Sequence, residues 1–135
     1  MPKSDFWSRK ALNHVLAVEP FPAPAGIWLA LFNSTEGLKT GSLAHEVAGG
    51  SYVRQPVLFR AAAAGRTANS GPVDFPVATE DWGPMVGWAI LDAVFAGNVL
   101  YWGEFPMFGE PSQYKTVFVG DSLRIRDQDL EIFEE

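Results

Sequence analysis

The sequence predicts a mainly β protein: a single antiparallel β-sandwich of jelly-roll type with one α-helix at its N-terminus. The first observation is a series of short apolar runs, separated at regular intervals by Gly, Pro, Asn and Asp. Such spacing is typical of sandwiches and partly closed barrels. The second is a single run of helical periodicity, which ends before residue 20. The length of 135 residues fits one domain.

The N-terminal segment predicts the helix. Its apolar residues recur at helical spacing and form one face, namely Trp7, Ala11, Val15 and Val18, with Leu12 and Leu16 beside them. Ser4 or Asp5 can cap the first turn. The run Pro20–Pro24 contains three prolines, which lack an amide donor, so it predicts a stiff linker. We therefore expect three parts, an N-terminal helix, a linker and a β-sandwich domain: residues 1–19, 20–26 and 27–135.

The rest of the chain predicts strands and turns. The strand candidates are residues 27–32, 52–59, 73–77, 86–93, 99–105, 115–119, 122–125 and 130–133. Gly97-Asn98 lies between two of these runs and predicts a hairpin. Apolar alternation predicts a strand over residues 52–59, and Pro56 indicates a sheet edge or a bulge. Gly65, after four alanines, predicts a turn.

Composition excludes several classes of function. The formal net charge is -6, and no basic stripe is present to displace counterions from phosphates, so we expect no nucleic-acid partner. There is no cysteine and there are only two histidines, which leaves few candidates for metal or cofactor binding. The alternating acids Asp127, Asp129 and Glu131 lack the glycine of a calcium loop. No run approaches the length of a membrane span. We expect no cofactor, no metal and no membrane insertion.

Two groups of residues resemble catalytic motifs. Gly120–Leu123 spells the GDSL esterase signature, but no histidine follows to act as a base for Ser122, so a β-turn is the better interpretation. Ser42, His45 and Glu46 are neighbours on a predicted loop, whereas triads are built from separated segments. We expect no catalytic residues and no enzyme. The 13% of aromatic residues fill either the core or a subunit contact.

The order of motifs resembles a large family of bacteriophage proteins labelled tail-fibre-like. The matching segments are Leu12–Leu16, Ile27–Phe32, Glu46-Val47, Gly49–Val57, Asn69-Ser70, Val73–Pro76, Ala78-Thr79, Asp81–Gly83, Leu91–Ala93, Gly97–Gly103, Lys115–Val117, Gly120–Leu123 and Asp129-Leu130. They cover nearly the whole chain in order. Residues 105–114 depart from the pattern and resemble an insertion.

The resemblance implies a non-enzymatic structural protein of the virion, made in the host cytoplasm. Its leading role is a tail or fibre component that assembles as a symmetric homo-oligomer, for example a trimer, and contacts other virion proteins. Two alternatives are a capsid decoration protein and a glycan-binding module that binds host surface sugars on exposed Trp and Tyr rings. A marginal helix and an apolar insertion both need a surface to cover them. The predicted interface residues are Phe6, Trp7, Leu12, Val15, Leu16, Phe105, Met107, Phe108 and Tyr114.

Overall fold

A computed structural model describes residues 3–105 and 115–133 of the chain. Within these residues the chain forms one α-helix and ten short strands. In chain order they are α1 (Asp5–Val15), β1 (Trp28–Phe32), β2 (Gln55–Pro56), β3 (Arg66–Ala68), β4 (Val73–Asp74), β5 (Gly83–Met85), β6 (Gly87–Leu91), β7 (Val99–Glu104), β8 (Lys115–Val117), β9 (Arg124–Ile125) and β10 (Glu131–Phe133). The strands pair antiparallel. The prediction of a mainly β fold with one N-terminal helix is therefore confirmed.

A four-stranded sheet in the order β2-β1-β6-β7 forms the centre of the fold. β1 and β6 pair along their full length, from Trp28 opposite Leu91 to Phe32 opposite Gly87. β6 and β7 form the hairpin that Gly97-Asn98 predicts. The other strands pair as three two-stranded ribbons, β3–β10, β4–β9 and β5–β8.

The main core lies between one face of this sheet and the three ribbons. The sheet contributes Leu29, Leu31, Trp88, Ile90 and Leu100. The ribbons and the segments beside them contribute Val57, Val73, Phe75, Met85, Val117, Leu123, Ile125, Leu130 and Ile132. Two β layers that share one apolar core give a sandwich-like arrangement.

The opposite face of the sheet is also covered. Leu38, from the loop between β1 and β2, packs there against a second cluster that includes Phe32, Leu91 and Val99. All five residues of β6 are therefore buried. A strand that is covered on both faces needs no alternation of polar and apolar residues, which explains the Gly-Trp-Ala-Ile-Leu sequence of β6.

The strand predicted over residues 52–59 is wrong for most of its length. Gln55 and Pro56 pair with Leu29 and Trp28 of β1, and Phe59 forms a single bridge with Asn69. The alternation fails because Arg54 points inward and is buried. The predicted edge position of Pro56 is confirmed, since β2 is the end strand of the sheet.

Neither edge strand of the four-stranded sheet offers its full length for pairing with another strand. β2 has two residues, and one of them is a proline without an amide donor. The other edge, β7, is bridged by Lys3 opposite Tyr101, and the amide of Ser4 donates to the carbonyl oxygen of Leu100 at 3.0 Å. The segment that precedes α1 thus occupies the outer side of β7.

Candidate functional site

The first turn of α1 is anchored to β7 through Ser4. Its Oγ accepts a hydrogen bond from the amide of Trp7 at 3.1 Å and donates one to the carbonyl oxygen of Val99. Ser4 is fully buried. An N-cap serine stabilises a helix by about 1 kcal/mol, and this one also joins the helix to the sheet. The predicted cap at Ser4 is confirmed.

Phe6 and Trp7 contact their own chain. The indole Nε1 of Trp7 donates to the hydroxyl of Tyr101 at 2.9 Å. The Phe21 ring lies 5.0 Å from that of Trp7 and 6.3 Å from that of Phe6, between ring centroids. The amide of Phe21 donates to Nδ1 of His14 at 3.0 Å, so the proline-rich segment folds back along the helix. These contacts fix the orientation of α1 on β7.

The other side of α1 faces solvent. Leu12, Val15 and Leu16 are 60%, 76% and 68% exposed, and their spacing places them on one stripe of the helix. Arg9, one turn earlier, lies beside the stripe, with its guanidinium 6.0 Å from the centroid of the Phe6 ring. We call Arg9, Leu12, Val15 and Leu16 the outward face. It presents an apolar surface that residues 3–105 and 115–133 leave exposed.

α1 is shorter than the helical pattern predicts. It ends at Val15, with Leu16 as C-cap, and Ala17 follows with a φ of 62°. The left-handed conformation of Ala17 stops the helix, because a non-glycine residue adopts it only in a turn or cap. Val18 is also exposed, close to the outward face.

A second uncovered apolar surface lies where the segment after β4 meets the turn after β8. The amide of Ala78 donates to the carbonyl oxygen of Asp121 at 2.8 Å. The amide of Gly120 donates to the carbonyl oxygen of Ala78, also at 2.8 Å. Beside this pairing three large apolar side chains are more than half exposed: Val77, Phe118 and Val119.

Three acidic residues lie in the same two segments as these apolar residues. Asp81 accepts a hydrogen bond from the amide of Val119 at 2.8 Å, and Asp121 accepts one from the amide of Phe118 at 3.1 Å. Glu80 precedes Asp81 in the sequence and is exposed, with its carboxylate close to Gly50. None of the three forms an ion pair with a described residue. We call this surface the turn patch: Val77, Glu80, Asp81, Phe118, Val119 and Asp121.

A buried ion pair, which the sequence analysis missed, fixes the loop between β6 and β7. The Arg54 guanidinium donates through Nε and Nη2 to the two carboxylate oxygens of Glu46, both at 2.8 Å. Its Nη1 donates to the carbonyl oxygens of Ala93 at 2.8 Å and Ala96 at 2.7 Å. The Tyr52 hydroxyl donates to Glu46 at 2.8 Å. The Arg54 side chain is 4% exposed, so this pair is shielded from water and salt.

The surroundings of this ion pair alter two pKa values. Burial, and then the negative charge of Glu46, raise the pKa of the Tyr52 phenol far above its ordinary value. Burial alone would lower the pKa of the Arg54 guanidinium, but the hydrogen bond and charge of Glu46 outweigh it and raise that pKa. The arginine thus stays charged and the phenol protonated. The only signal in the sequence is that Glu46 and Arg54 lie on either side of Gly49-Gly50.

A family model described as Podophage GP4 fiber I protein gp80 matches residues 2–132. The chain belongs to this phage fibre family. The resemblance to tail-fibre-like phage proteins is confirmed, and the membership supports a structural role in the virion, in association with other virion proteins. None of the curated proteins matches the chain.

In this fibre-family protein the segment predicted to be an insertion, residues 105–114, follows β7 in the sequence. Phe105 is half-buried against the main core, and its amide donates to the carbonyl oxygen of Val86 at 2.8 Å. The predicted interface residues Met107, Phe108 and Tyr114 lie outside the described residues. Phe105 is therefore the one predicted interface residue of this segment that the described part of the chain includes.

Among the described residues, no hydrogen bond joins Ser42 or Ser122 to a histidine. Ser122 is exposed next to the turn patch, and His45 is exposed with Nε2 4.0 Å from a carboxylate oxygen of Glu36. Within residues 3–105 and 115–133 no group of three or more His, Asp or Glu side chains could hold a metal ion. The described part of the chain also has no helix of the length and apolarity that crossing a membrane requires.

Proposed function

We propose that this protein is a fibre-associated component of the phage tail that assembles as a symmetric homo-oligomer and acts by burying surface, without catalytic turnover. Like other virion components it is made in the host cytoplasm. The observation that carries the proposal is the outward face of α1. Phe6 and Trp7 already dock the helix on its own chain, so the fold of one chain does not require Leu12, Val15 and Leu16 to be apolar. Uncovered apolar stripes mark contact surfaces.

The two groups of predicted interface residues then have different roles. Leu12, Val15 and Leu16 make the contact, whereas Phe6 and Trp7 hold the helix in the orientation that presents them. Residues 105–114 form a second contact in this proposal, which their apolar side chains support: Phe105, Met107, Phe108 and Tyr114. The helix and linker of residues 1–26 act as an assembly arm on the sandwich of residues 27–135.

The family description names a fibre protein, which supports a fibre role over capsid decoration. The tryptophans give little support to glycan binding, because sugars stack on open rings. Trp82 and Trp88 are buried, at 3% and 1% exposure, and the other three are partly covered: Trp7, Trp28 and Trp102.

The proposal is tested by replacing both Leu12 and Leu16 with Ser. Because both side chains are exposed, the variant is expected to fold with an unchanged circular dichroism spectrum and Tm. In phage that lack the wild-type gene, its incorporation into purified particles, measured by quantitative immunoblot, is expected to fall at least about tenfold. Leu58→Ser is the matched control, because Leu58 is an equally exposed leucine, at 75%, outside both surfaces.

A double variant that enters particles at the wild-type level would contradict the proposal. The outward face would then be an ordinary part of the surface, and the role in the virion would have to rest on another part of the chain.

A further inference from the structure

We propose that the outward face of one copy docks on the turn patch of the next copy, head to tail. The inference rests on the proposed function and names the contact through which the oligomer forms. Both surfaces present three large apolar side chains, which stay exposed among the described residues of their own chain. Matching apolar surfaces at two different places on one chain make a heterologous contact, which closes into a ring when the rotation allows it.

The charges of the two surfaces are complementary. Most described basic side chains have an acidic partner in the chain, as in Lys10–Glu19, Arg54–Glu46, Arg60–Asp127, Arg66–Glu131, Arg124–Asp74 and Arg126–Asp129. Arg9 and Lys39 form no ion pair with a described residue. Both lie at the helix, Arg9 on its outward face and Lys39 with its carbonyl oxygen 2.8 Å from the amide of Asp5.

The turn patch supplies the opposite charge. Glu80, Asp81 and Asp121 are likewise without an ion pair to any described residue. The charges are unevenly distributed along the whole sequence. Residues 1–18 contain three basic residues and one acidic residue, Asp5, whereas residues 19–135 contain seven basic and fifteen acidic residues. A positive helix end and a negative patch attract each other, and such charges set partner choice and orientation more than affinity.

Another apolar surface, a groove at the edge of the core, complements the outward face of the helix less well than the turn patch does. A groove of about 490 Å³ opens between the four-stranded sheet and the β3–β10 ribbon, lined by residues that include Ile27, Phe59, Leu100 and Ile132. The charged residue in its lining is Arg66, which pairs with Glu131, and the lining contains no carboxylate that could attract Arg9. The turn patch combines an apolar surface with negative charge, so it is the better complement.

The contact is expected to be weak for a single pair of copies. Each surface presents on the order of a few hundred Å² of apolar area, below the usual size of a stable interface. We therefore expect association in the micromolar range, measurable by sedimentation velocity over a series of protein concentrations.

The test uses two variants, each of which blocks one surface. Leu16→Asp disables the outward face, and Val119→Asp disables the turn patch. Both side chains are exposed, at 68% and 62%, so folding is expected to be retained, with circular dichroism as the check. Each variant alone is expected to be monomeric where the wild-type chain associates. An equimolar mixture is expected to form a heterodimer and nothing larger, because only one intact helix and one intact patch can meet.

A second set of variants changes the charges of the same contact and leaves its apolar side chains unchanged. Arg9→Glu would place like charges against each other, which is costly, so it is expected to weaken association at least about tenfold. Combining it with Glu80→Arg in one chain removes the repulsion and is expected to restore association. Leu58→Asp is the control for a charge at an exposed leucine outside both surfaces, and is expected to associate like the wild-type chain.

Three results would overturn the inference. A Val119→Asp chain that associates like the wild-type chain would exclude the turn patch, and a mixture of the two blocked variants that stays monomeric would exclude the head-to-tail pairing. A wild-type chain that is monomeric throughout would exclude contact between copies. In that case the Leu12/Leu16 incorporation experiment still decides the proposed function, because a helix that contacts another virion protein would still be needed for incorporation.

Discussion

The Arg54 side chain connects three segments of the chain. Its guanidinium joins Glu46, which precedes Gly49-Gly50, to the carbonyl oxygens of Ala93 and Ala96 in the β6–β7 loop. A charge inside a protein is tolerated only with a close partner, and here the carboxylate and two carbonyl groups provide it. Removing one member leaves the others without compensation.

Replacing Arg54 with Met is therefore expected to lower the free energy of unfolding by about 3–5 kcal/mol, as measured by urea denaturation. The matched control is Arg124→Met. The side chains of Arg124 and its partner Asp74 are both 61% exposed, so this change is expected to cost less than about 1 kcal/mol. Equal losses in the two variants would show that the Arg54 pair is no stronger than a surface pair.

The sequence predicts some single residues well and others not at all. Ser4 is recognisable as a cap because capping depends only on the next three residues. Arg54 is not recognisable, because its partners include carbonyl groups about 40 residues away along the chain. Alternation over residues 52–59 assigns it to a strand face that the folded chain does not form.

At the scale of elements, the loop of the β6–β7 hairpin is held in place by hydrogen bonds within the loop itself. Asp92 accepts hydrogen bonds from the amide of Asn98 at 2.7 Å and from its side chain at 3.1 Å, which closes the loop from within. Gly97 has a φ of 82°, which other residues adopt with strain. The loop presents Phe95, which is 80% exposed, from a fixed base.

Gly97→Ala is expected to lower the free energy of unfolding by about 1–3 kcal/mol. A Cβ there would lie 2.7 Å from Oδ1 of Asp92 and 2.8 Å from Cβ of Ala93. Gly41→Ala is the control, since Gly41 has a φ of 93° but no heavy atom within 4 Å of an added Cβ. Urea denaturation of both variants separates the steric contact from the backbone strain, and identical losses would contradict the steric argument.

Elements with local signals are predictable, and elements that depend on distant partners are not. Turn residues and apolar runs locate β1, β6 and β7 within a residue or two. β3 was predicted as part of a turn region, because Arg66–Ala68 becomes a strand only by pairing with β10 at the far end of the sequence. β5 contains Pro84, which argues against a strand when read alone. Strand preference depends on such partners more than helix preference does.

At the scale of the whole molecule, stability above about pH 10 depends on the buried phenol of Tyr52. Burial and the Glu46 carboxylate raise its pKa in the folded state, whereas in the unfolded chain it ionises near about pH 10. A raised folded pKa means that its contribution to stability is complete below that pH and is lost as pH rises above it.

The free energy of unfolding of the wild-type chain is therefore expected to decline as pH rises above about 10, and the decline is expected to be shallower in Tyr52→Phe. Urea denaturation between about pH 8 and 11 measures both slopes. Parallel slopes would mean that the Tyr52 phenol titrates alike in the folded and unfolded chains.

The edge strands of the central sheet affect how one copy of the chain can contact another. An open strand edge offers unpaired backbone groups to any other strand, which is how native proteins begin to form amyloid. Here Pro56 restricts one edge, and Lys3 with Ser4 covers the other. Two copies that meet at these edges are therefore expected to touch through side chains and not to extend one another's backbone ladders.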